Sequence, residues 1–514
     1  MTDGDDQVRA TKLISVAVVL ALIATGCSGS SDDRGSSDGR TPPPGSPAGT
    51  DAFYKQRLSW KDCGGGFQCA TAQVPVDYTK PTNGRLSISL IRLPAERKSD
   101  RIGSLFTNPG GPGGSGVDFI RQTARSFGQD LRNRFDIIGF DPRGVGASDP
   151  VRCLDGSQLD RYFSTDTTPD DPGELEALAS QSEGFAKGCQ SKSASRLPYV
   201  GTLNAARDMD VLRAAVGDEK LTYYGASYGT YLGAFYAEQF PKSVRALVLD
   251  GAVDPRISST QLLIEQAKGF ETALNAFADD CVTNQLDCPL GTSRAAVIRN
   301  ITDFLSDLDE APLKNTKDSR KVTESWATTG IATALYAKGF WPVLRQAFAQ
   351  AEQQKDGTLF LTLADQLIER KPNGTYSNQT EANMAVNCVD KPNPANLAQY
   401  RKSVDQAKKV SPLFGPFVVW GGLGCVYWPV QTKQPPKPIT AKGSPPILVI
   451  GTLRDPATPY KWAQSLASQL DSGTLLTLDG DGHTAYLQGN PCISKATHDY
   501  LITAKPPREG TVCR

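Results

Sequence analysis

Short apolar runs separated by helical stretches constrain the fold of this chain more than any other feature of its sequence. The runs are bounded by Gly, Pro or Asp, and most are nearly continuous, which is typical of parallel strands buried on both faces. Stretches between them, such as 204–216 and 228–238, carry apolar residues at helical spacing. This alternation predicts an α/β protein with a mostly parallel central sheet and helices on both faces. The predicted strands are residues 86–93, 104–107, 135–140, 221–224, 246–249, 446–450 and 474–478.

The pattern changes between residues 256 and 442, where helical segments dominate and no series of strands interrupts them. Examples of these long segments are residues 259–278, 295–308 and 328–354. A buried apolar run then returns after residue 442. We therefore predict a helical cap inserted at 256–442, which would lie over the strand ends like a lid. The two parts of the α/β core around it are residues 51–255 and 443–514.

The first 27 residues have the features of an export signal. An apolar run at 13–24 follows Arg9 and Lys12, and it is too short to span a bilayer comfortably. The run ends at Ala24-Thr25-Gly26-Cys27, which resembles a bacterial lipobox. We predict lipidation of Cys27, which would anchor the exported protein to the outer face of the membrane without spanning it. The alternative is a plain signal peptide and a secreted protein. Residues 28–50, rich in Ser, Gly, Asp and Pro, predict a flexible tether.

The remaining ten cysteines predict disulfides rather than a metal site. An even number of cysteines in an exported chain is typical of disulfide bonding. A zinc site is not indicated, because the sequence has no C-x-x-C motif and only 2 histidines. Other pairings remain open, but short loops favour sequential pairing. The sequential pairs are Cys63–Cys69, Cys153–Cys189, Cys281–Cys288, Cys388–Cys425 and Cys492–Cys513.

A G-x-S-x-G pattern at residues 225–229 directly follows a predicted strand and precedes a predicted helix. In that context the serine occupies a sharp strand-to-helix turn and acts as a nucleophile. The same pattern at 35–39 lies in the predicted tether, where no scaffold could hold a base beside it. Ser227 is therefore the predicted nucleophile, and the alternative is an inert serine in a glycine-rich junction.

Two histidines are available to act as the base. A serine hydroxyl is a weak nucleophile until a base accepts its proton, and histidine is the usual base. His483 lies in a glycine-rich loop after the last predicted strand, whereas His498 lies in a predicted helix. A base must reach above the strand ends, so the loop position favours His483.

The acid that orients this base should lie between the serine and the histidine in sequence. Asp455 follows a predicted strand and meets that order. Asp250, at the end of an earlier predicted strand, meets the order as well and is the alternative. Asp479 and Asp481 lie too near His483 in sequence to turn back easily to its ring. We therefore prefer Asp455.

The segment SLFTNPGGPGGSG at 104–116 is predicted to supply part of an oxyanion hole. Main-chain N–H groups must point at the developing negative oxygen, and one should come from Tyr228, the residue after the nucleophile. Glycines let the main chain of this segment approach a substrate closely. Gly111 is the preferred second donor, with Gly110 as the alternative. The segment matches neither of the glycine-rich phosphate-binding motifs.

Six motifs occur in order between about Trp60 and Cys513: NPGGPGGSG, FDPRGVGAS, YYGASYGTYLGAFYAEQFP, LDGAVDP, RDPATPY and GDGHTAY. Together they resemble the exported actinobacterial α/β-hydrolases that include the serine tripeptidyl aminopeptidases, relatives of the proline iminopeptidases. The resemblance implies an α/β-hydrolase fold with a helical lid. It also implies Ser227, Asp455 and His483 as a catalytic triad. Pro109 stands where iminopeptidases have a histidine, so the role of that histidine is unfilled here.

The resemblance further implies removal of short peptides from a free N-terminus, with ester hydrolysis in some relatives. An exopeptidase must bind the ammonium group of its substrate, which needs carboxylates in a closed site. The candidates in the cap are Glu265, Glu381 and Asp390, and for each the alternative is an ordinary surface or capping acid. Triad chemistry needs no cofactor or metal, so none is expected.

Two other functions are compatible with the sequence. A carboxylesterase or lipase acting on cell-envelope esters would have a wide apolar mouth and no buried acids. A catalytically inactive scaffold would usually have lost a triad member, and this chain has all three. Lys plus Arg equals Asp plus Glu at 55 each, so there is no basic footprint for nucleic acid. We expect a peptide or protein substrate, membrane contact only through the lipid, and no nucleic-acid partner.

Overall fold

The computed structural model describes residues 41–43, 46–283 and 288–514. The predicted signal at 1–27, its lipidation site Cys27 and most of the predicted tether lie outside the described residues, so these remain predictions. Within the described ranges, no helix combines the length and the apolar character needed to cross a membrane.

One sheet of ten strands runs through the described residues. The strands are β1 (Lys61–Asp62), β2 (Gln68–Pro75), β3 (Arg85–Leu93), β4 (Gly103–Asn108), β5 (Phe135–Phe140), β6 (Leu221–Ala226), β7 (Val244–Asp250), β8 (Ile447–Arg454), β9 (Gly473–Asp481) and β10 (Val512–Cys513). Their order is β1-β2-β3-β5-β4-β6-β7-β8-β9-β10. The pairs from β1 through β3 to β5 are antiparallel, and all later pairs are parallel. The predicted mostly parallel sheet is therefore confirmed.

Helices connect these strands and also form a large insertion. In chain order they are α1 (Asp51–Tyr54), α2 (Gly116–Thr123), α3 (Gln129–Arg134), α4 (Gly156–Ser164), α5 (Pro172–Ser193), α6 (Thr202–Ala215), α7 (Tyr228–Gln239), α8 (Ser259–Thr283), α9 (Arg294–Glu310), α10 (Glu324–Leu335), α11 (Trp341–Gln354), α12 (Thr358–Leu367), α13 (Gln379–Asp390), α14 (Leu397–Val410), α15 (Phe414–Trp420), α16 (Tyr460–Gln469) and α17 (Pro491–Thr503). The segment between β7 and β8, which contains α8 to α15, is called the cap below.

Neighbouring positions of each central strand pack into two cores, one on each face of the sheet. In β6, Tyr223 belongs to the core covered by α6 and α7, whereas Tyr224 belongs to the core covered by α2, α3 and α17. In β7, Leu247 and Val248 divide between the same two cores. Because side chains of a strand alternate between faces, a continuous apolar run needs cover on both sides. Helices on both faces supply that cover, as the sequence predicts.

The cap has a hydrophobic core of its own, built mainly from α8 to α12. A second segment joins it from outside the insertion. Helices α4 and α5, which precede β6 in sequence, pack on the cap, and the α5 residue Leu178 belongs to the same cluster as Tyr400 and Trp420. The sequence pattern does not indicate this contribution, because α4 and α5 lie before the predicted insertion. The helices that pack together around the cap therefore come from two separate parts of the chain.

The single helix predicted at 328–354 is wrong in one respect, since the structure divides it into two. Helix α10 ends at Leu335 and α11 begins at Trp341. Between them, Ala337 has an extended backbone with φ −147° and ψ 129°. Pro342 occupies the first turn of α11, where its missing N–H costs nothing and where a longer helix could not continue through it.

Five disulfides join the ten cysteines in the predicted sequential pairs. Cys388–Cys425 links α13 to the turn that follows α15, and its loop spans 37 residues of sequence separation. Cys492–Cys513 links α17 to the edge strand β10. The first bond joins two segments of the cap, and the second joins the edge strand to a helix.

Candidate active site

Ser227 lies on a sharp turn between β6 and α7, with a backbone φ of +55° and ψ of −125°. This conformation is rare for a residue with a side chain, and it is stabilised by the packing around it. A Cβ on Gly225 would lie 2.3 Å from the carbonyl oxygen of Gly229, so only glycine allows the strand and the helix to approach so closely. The Ser227 N–H donates to the carbonyl of Asp250 at 2.8 Å, which ties the turn to the end of β7.

Asp455 and His483 form a buried pair. Asp455 follows β8 directly, and its Oδ1 lies 2.9 Å from Nδ1 of the His483 ring. The carboxylate also accepts hydrogen bonds from the N–H groups of Ala457 at 2.9 Å and Thr458 at 2.8 Å. The Thr458 hydroxyl donates to the other carboxylate oxygen at 2.9 Å. Because an ionised carboxylate only accepts hydrogen bonds, it places the proton on Nδ1 and leaves Nε2 free to accept one.

The pair controls the protonation of the imidazole. Burial alone would lower the pKa of His483, but the Asp455 carboxylate outweighs burial, and Asp250 adds to its effect, so the pKa of His483 is raised above its ordinary value. The ring lies against the end of β7, where a Cβ on Gly251 would be 3.3 Å from His483 Cε1. The residue before this glycine is the one whose carbonyl binds the Ser227 N–H. Contacts at the carboxyl ends of β6, β7 and β8 therefore hold Ser227, Asp455 and His483 on the same side of the sheet.

Asp250, the alternative acid, holds the same loop by different atoms. Its carboxylate accepts hydrogen bonds from the N–H groups of Ala485 and Tyr486, each at 2.9 Å, and from the Tyr224 hydroxyl at 3.1 Å. The side chain is completely buried, and burial raises its pKa to about 6. Asp250 thus fixes the main chain that follows His483, whereas Asp455 forms a hydrogen bond with the imidazole ring. Order along the chain predicts Asp250 only as the alternative to Asp455 and does not reveal its contact with the main chain.

The other residues considered for the base and the acid have different partners. His498 lies on α17, where its Nε2 is 2.8 Å from the Tyr486 hydroxyl. Burial lowers the pKa of His498. Asp479 and Asp481 both pair with Arg454 on the neighbouring strand, Asp479 at 3.2 Å. None of these contacts reaches the ring of the proposed base.

The glycine-rich loop after β4 packs directly on the serine turn. A Cβ on Gly110 would lie 2.5 Å from the Ala226 carbonyl oxygen and 2.8 Å from Ser227 Cβ. The Gly110 N–H already donates to the Asn108 side chain at 2.9 Å. Gly111, by contrast, is exposed, and no described residue accepts from its N–H. The contacts therefore favour Gly111 over Gly110 as a donor to a bound ligand.

Tyr228 is the first residue of α7, so its N–H has no carbonyl to bind within that helix. Such an N–H at a helix start, beside a serine held above the sheet, is suited to binding an anionic oxygen. The cap supports the opposite side of the site, because Asn383 of α13 donates from Nδ2 to the Pro112 carbonyl at 3.0 Å. The arrangement can therefore activate a serine and stabilise a negatively charged oxygen next to it.

Comparisons with known proteins show the family to which this chain belongs. The family model described as TAP-like protein matches residues 411–513. Serine protease Hip1 of Mycobacterium tuberculosis is 38% identical over 460 residues, which cover 87% of this chain and 88% of that protein. The chain belongs to the TAP-like α/β-hydrolases. Carboxylesterase B of M. tuberculosis is 36% identical, with 87% of this chain and 86% of that protein covered. Tripeptidyl aminopeptidase of Streptomyces lividans is 31% identical, with 89% and 86% covered.

Membership of the TAP-like α/β-hydrolases confirms the resemblance identified from the six motifs. It also confirms the α/β-hydrolase fold expected from them, and it makes this chain a serine hydrolase. The matched relatives carry protease, esterase and aminopeptidase names, so the family alone leaves the substrate class to be argued from the site.

Two of the acids predicted to bind a substrate ammonium hold parts of the TAP-like fold together. Glu265 of α8 pairs with Lys461 at 2.7 Å and accepts from the Trp462 indole N–H, which joins the cap to α16. Glu381 of α13 is buried and accepts from the main-chain N–H of Leu154 at 3.0 Å. Burial raises the pKa of Glu381. Both carboxylates thus have protein partners in the described structure.

Asp390, the third predicted acid, is connected to the serine turn. It accepts from the main-chain N–H of Thr202 at 2.8 Å and from the hydroxyl of the same threonine. That hydroxyl also lies 2.5 Å from the Tyr228 hydroxyl. Burial raises the pKa of Asp390 to about 6. Of the three acids, Asp390 is therefore the one that reaches the residue after the proposed nucleophile, through a single threonine.

Proposed function

We propose that this TAP-like hydrolase is a serine peptidase that releases short peptides from a free N-terminus through an acyl-enzyme on Ser227. The observation that carries the proposal is the buried Asp455–His483 contact of 2.9 Å beside a serine in a strained turn. The protease and aminopeptidase names of the 38% and 31% identical relatives support a peptide substrate.

In the proposed reaction, Ser227 Oγ attacks the carbonyl carbon of the substrate while His483 Nε2 accepts its proton. Asp455 holds the ring and stabilises the imidazolium that forms. The N–H groups of Gly111 and Tyr228 bind the oxygen that becomes negative. His483 then returns the proton to the leaving amine, and the acyl-enzyme remains. Water, activated by the same histidine, releases the acyl group and restores the serine hydroxyl.

Asp390 is the predicted acid best supported as a partner of the substrate ammonium, because its hydrogen bonds lead to Tyr228. Its carboxylate is buried, with a pKa raised to about 6, so a neighbouring cation would favour its ionised form. Glu265 and Glu381 remain candidates, but their hydrogen bonds and ion pairs lead to Lys461 and Leu154 rather than to the serine turn.

Carboxylesterase activity on cell-envelope esters is the second candidate function. It is supported by the 36% identical relative named Carboxylesterase B. The proposed triad would act on esters and amides by the same steps, so the difference between the two functions lies in the substrate pocket. A fluorophosphonate probe, which reacts with an activated serine, tests the proposed nucleophile directly. Such a probe should label the protein but not its Ser227→Ala variant.

We also propose that the protein is exported and attached to the outer face of the membrane by a lipid on Cys27. Five disulfides support an oxidising location. The test is detergent phase partitioning of the full chain and of Cys27→Ser. The lipidated protein should enter the detergent phase and the variant should remain in the aqueous phase. Equal aqueous partitioning of both would support a secreted protein instead.

The peptidase proposal is tested by a paired kinetic assay. One substrate is a tripeptide with a free amine and a chromogenic leaving group, and the other is the same tripeptide with its amine acetylated. We expect acetylation to cause a large loss of kcat/KM. Ser227→Ala should have no activity on either substrate. Equal rates would indicate an endopeptidase. Turnover of short-chain esters without either peptide would favour the esterase.

A further inference from the structure

Tyr336 of the cap makes two contacts with His483, the proposed base. The carbonyl oxygen of Tyr336 accepts a hydrogen bond from the His483 main-chain N–H at 2.7 Å. The Tyr336 ring also packs edge-on against the imidazole, with ring centroids 5.3 Å apart and an interplanar angle of 87°. One cap residue therefore contacts both the main chain and the ring of His483.

The break between α10 and α11 makes the first contact available. A carbonyl in the middle of a helix would be occupied by the N–H four residues later, but α10 ends at Leu335. The carbonyl of Tyr336 is therefore directed toward the core. On the other side, a Cβ on Gly482 would lie 3.0 Å from this oxygen, and Gly482 has a φ of +105°. Glycine at that position lets the loop approach the cap.

The cap also holds the Tyr336 ring in place. Phe270 of α8 packs against it edge-on, with ring centroids 5.7 Å apart and an interplanar angle of 63°. The Tyr336 ring therefore lies between Phe270 and His483. No described residue forms a hydrogen bond with its hydroxyl, so the contact with the imidazole depends on the aromatic ring rather than on the phenol.

The core holds the rest of the same loop. The N–H groups next to His483 donate to core residues: Gly482 to the Arg454 carbonyl at 3.3 Å, and Thr484 to Asp455 at 3.1 Å. The two residues that follow bind Asp250. In the described structure, the main-chain N–H of His483 therefore binds the cap, whereas those of its neighbours in the loop bind the core.

We propose that Tyr336 is a positioning residue for His483, so that the cap completes the catalytic base as well as covering the substrate. The inference rests on the proposed function, since it needs His483 to be the base. Asp455 fixes one nitrogen of the ring, but a ring held at one atom can still tilt about that contact. The Tyr336 ring and carbonyl restrict this tilt, and small errors in the position of a base cost a large part of its rate.

The test compares Tyr336→Ala, Tyr336→Leu and Tyr336→Phe on two substrates. One is the free-amine tripeptide, and the other is p-nitrophenyl acetate, which is too small to need cap contacts. Tyr336→Ala should lower kcat on both substrates by on the order of 10- to 100-fold, with the tripeptide KM within about twofold of the original. Tyr336→Phe keeps the ring and should restore most of kcat. Tyr336→Leu keeps bulk without the ring edge, should fall between them, and serves if the alanine variant fails to fold.

Tyr376 provides a matched control within the cap. It is a part-buried tyrosine that stacks on Phe163 and donates to Asp160. Tyr376→Ala should lower the Tm of the protein through lost cap packing, while kcat on p-nitrophenyl acetate stays near its original value. A loss of kcat in this variant equal to that of Tyr336→Ala would mean that any loosening of the cap has the same effect, and would overturn the proposal.

Two further outcomes separate the inference from the proposed function. If Tyr336→Ala raises only the tripeptide KM and leaves ester turnover unchanged, Tyr336 is a wall of the substrate pocket and not a positioning residue. His483→Ala is measured in parallel. If His483→Ala retains activity, the proposed function fails. If His483→Ala is inactive while Tyr336→Ala equals the original protein, only the role of Tyr336 is disproved.

Discussion

Asp250 and Asp455 are buried carboxylates at the ends of neighbouring strands, and both bind the loop that carries His483. They differ in the atoms that they hold. Asp455 lies on the imidazole Nδ1 at 2.9 Å, whereas Asp250 binds the main-chain N–H groups of Ala485 and Tyr486. A carboxylate on the ring stabilises the imidazolium directly. One on the main chain acts only through the position of the loop and through its own charge.

This difference predicts unequal losses when each acid is changed to its amide. Asp455→Asn should lower kcat by on the order of 10³- to 10⁴-fold, because the ring would lose its tautomer and its counter-charge. Asp250→Asn leaves one buried N–H facing a donor, which costs about 1–3 kcal/mol, and should lower kcat about tenfold. Steady-state kinetics with both variants checks this. A larger loss in Asp250→Asn would reverse the two roles.

The pH dependence of kcat/KM should show the raised pKa of His483. A base must be neutral to accept a proton, so activity should fall as pH decreases through a pKa above the ordinary value of about 6.5. Because the Asp250 charge contributes to that rise, Asp250→Asn should move the acid limb of the profile to lower pH. The stability from the charged pair has the opposite dependence. It is complete below the unfolded pKa and is lost as pH rises through the folded pKa.

The profile is measured on the free-amine tripeptide, as kcat/KM at about ten pH values from pH 5 upward. An unchanged acid limb in Asp250→Asn would show that Asp250 does not act on the ring through its charge. A limb midpoint below about 6.5 in the original protein would contradict the raised pKa itself.

At the scale of elements, the contact between the glycine-rich loop and the serine turn should tolerate no side chain. Gly110→Ala would place a methyl group 2.5 Å from the Ala226 carbonyl oxygen, at a φ of +95°. We expect it to lower the rate of fluorophosphonate labelling at least tenfold and to lower the Tm. Gly184→Ala is the matched control. Gly184 lies within α5, where a Cβ meets nothing within 4 Å, so this change should stabilise by about 0.5–1 kcal/mol. Equal labelling of both variants would refute the close approach.

The strands and helices also show which secondary structure can be predicted from sequence patterns. All seven predicted strands are present, because a run such as LVL in β7 must be buried on both faces wherever it lies. Strand β2 was missed, because QCATAQVP is rich in small and polar residues and is a strand only through its pairing with β3. The break at Tyr336 was missed for a related reason. The segment is apolar at helical spacing, and its partner His483 is far away in sequence.

In the candidate site, too, some features could be predicted from the sequence and others could not. Order along the chain and position after a strand predict Ser227, Asp455 and His483, and the fold places these residues at the carboxyl ends of the parallel strands. The partners of Glu265 and Glu381 could not be predicted, because Trp462 and Leu154 come from distant elements. The sequence does not distinguish a cap carboxylate that binds a substrate from one that accepts a hydrogen bond from a main-chain N–H.

At the scale of the whole molecule, the cap is bound to the site from three directions. Asn383 holds the loop of the proposed oxyanion hole, Tyr336 holds His483, and Asp390 reaches Tyr228 through a threonine. Each contact involves a different member of the proposed machinery. The geometry of the site therefore depends on where the cap lies relative to the sheet, and not only on the strand ends.

The disulfide Cys388–Cys425 should be the bond through which cap stability is most directly linked to activity. It fixes α13, which carries both Asn383 and Asp390. Replacing both cysteines by alanine should destabilise the protein by about 1.5 kcal/mol more than removing Cys63–Cys69, because the loops span 37 and 6 residues of separation. It should also lower kcat/KM on the tripeptide, whereas the Cys63–Cys69 variant at the sheet edge should keep its activity. Thermal unfolding and steady-state kinetics on the two double variants measure both effects. Equal kinetics would mean that α13 stays in position without its disulfide, and that its packing on the sheet is sufficient to maintain the site.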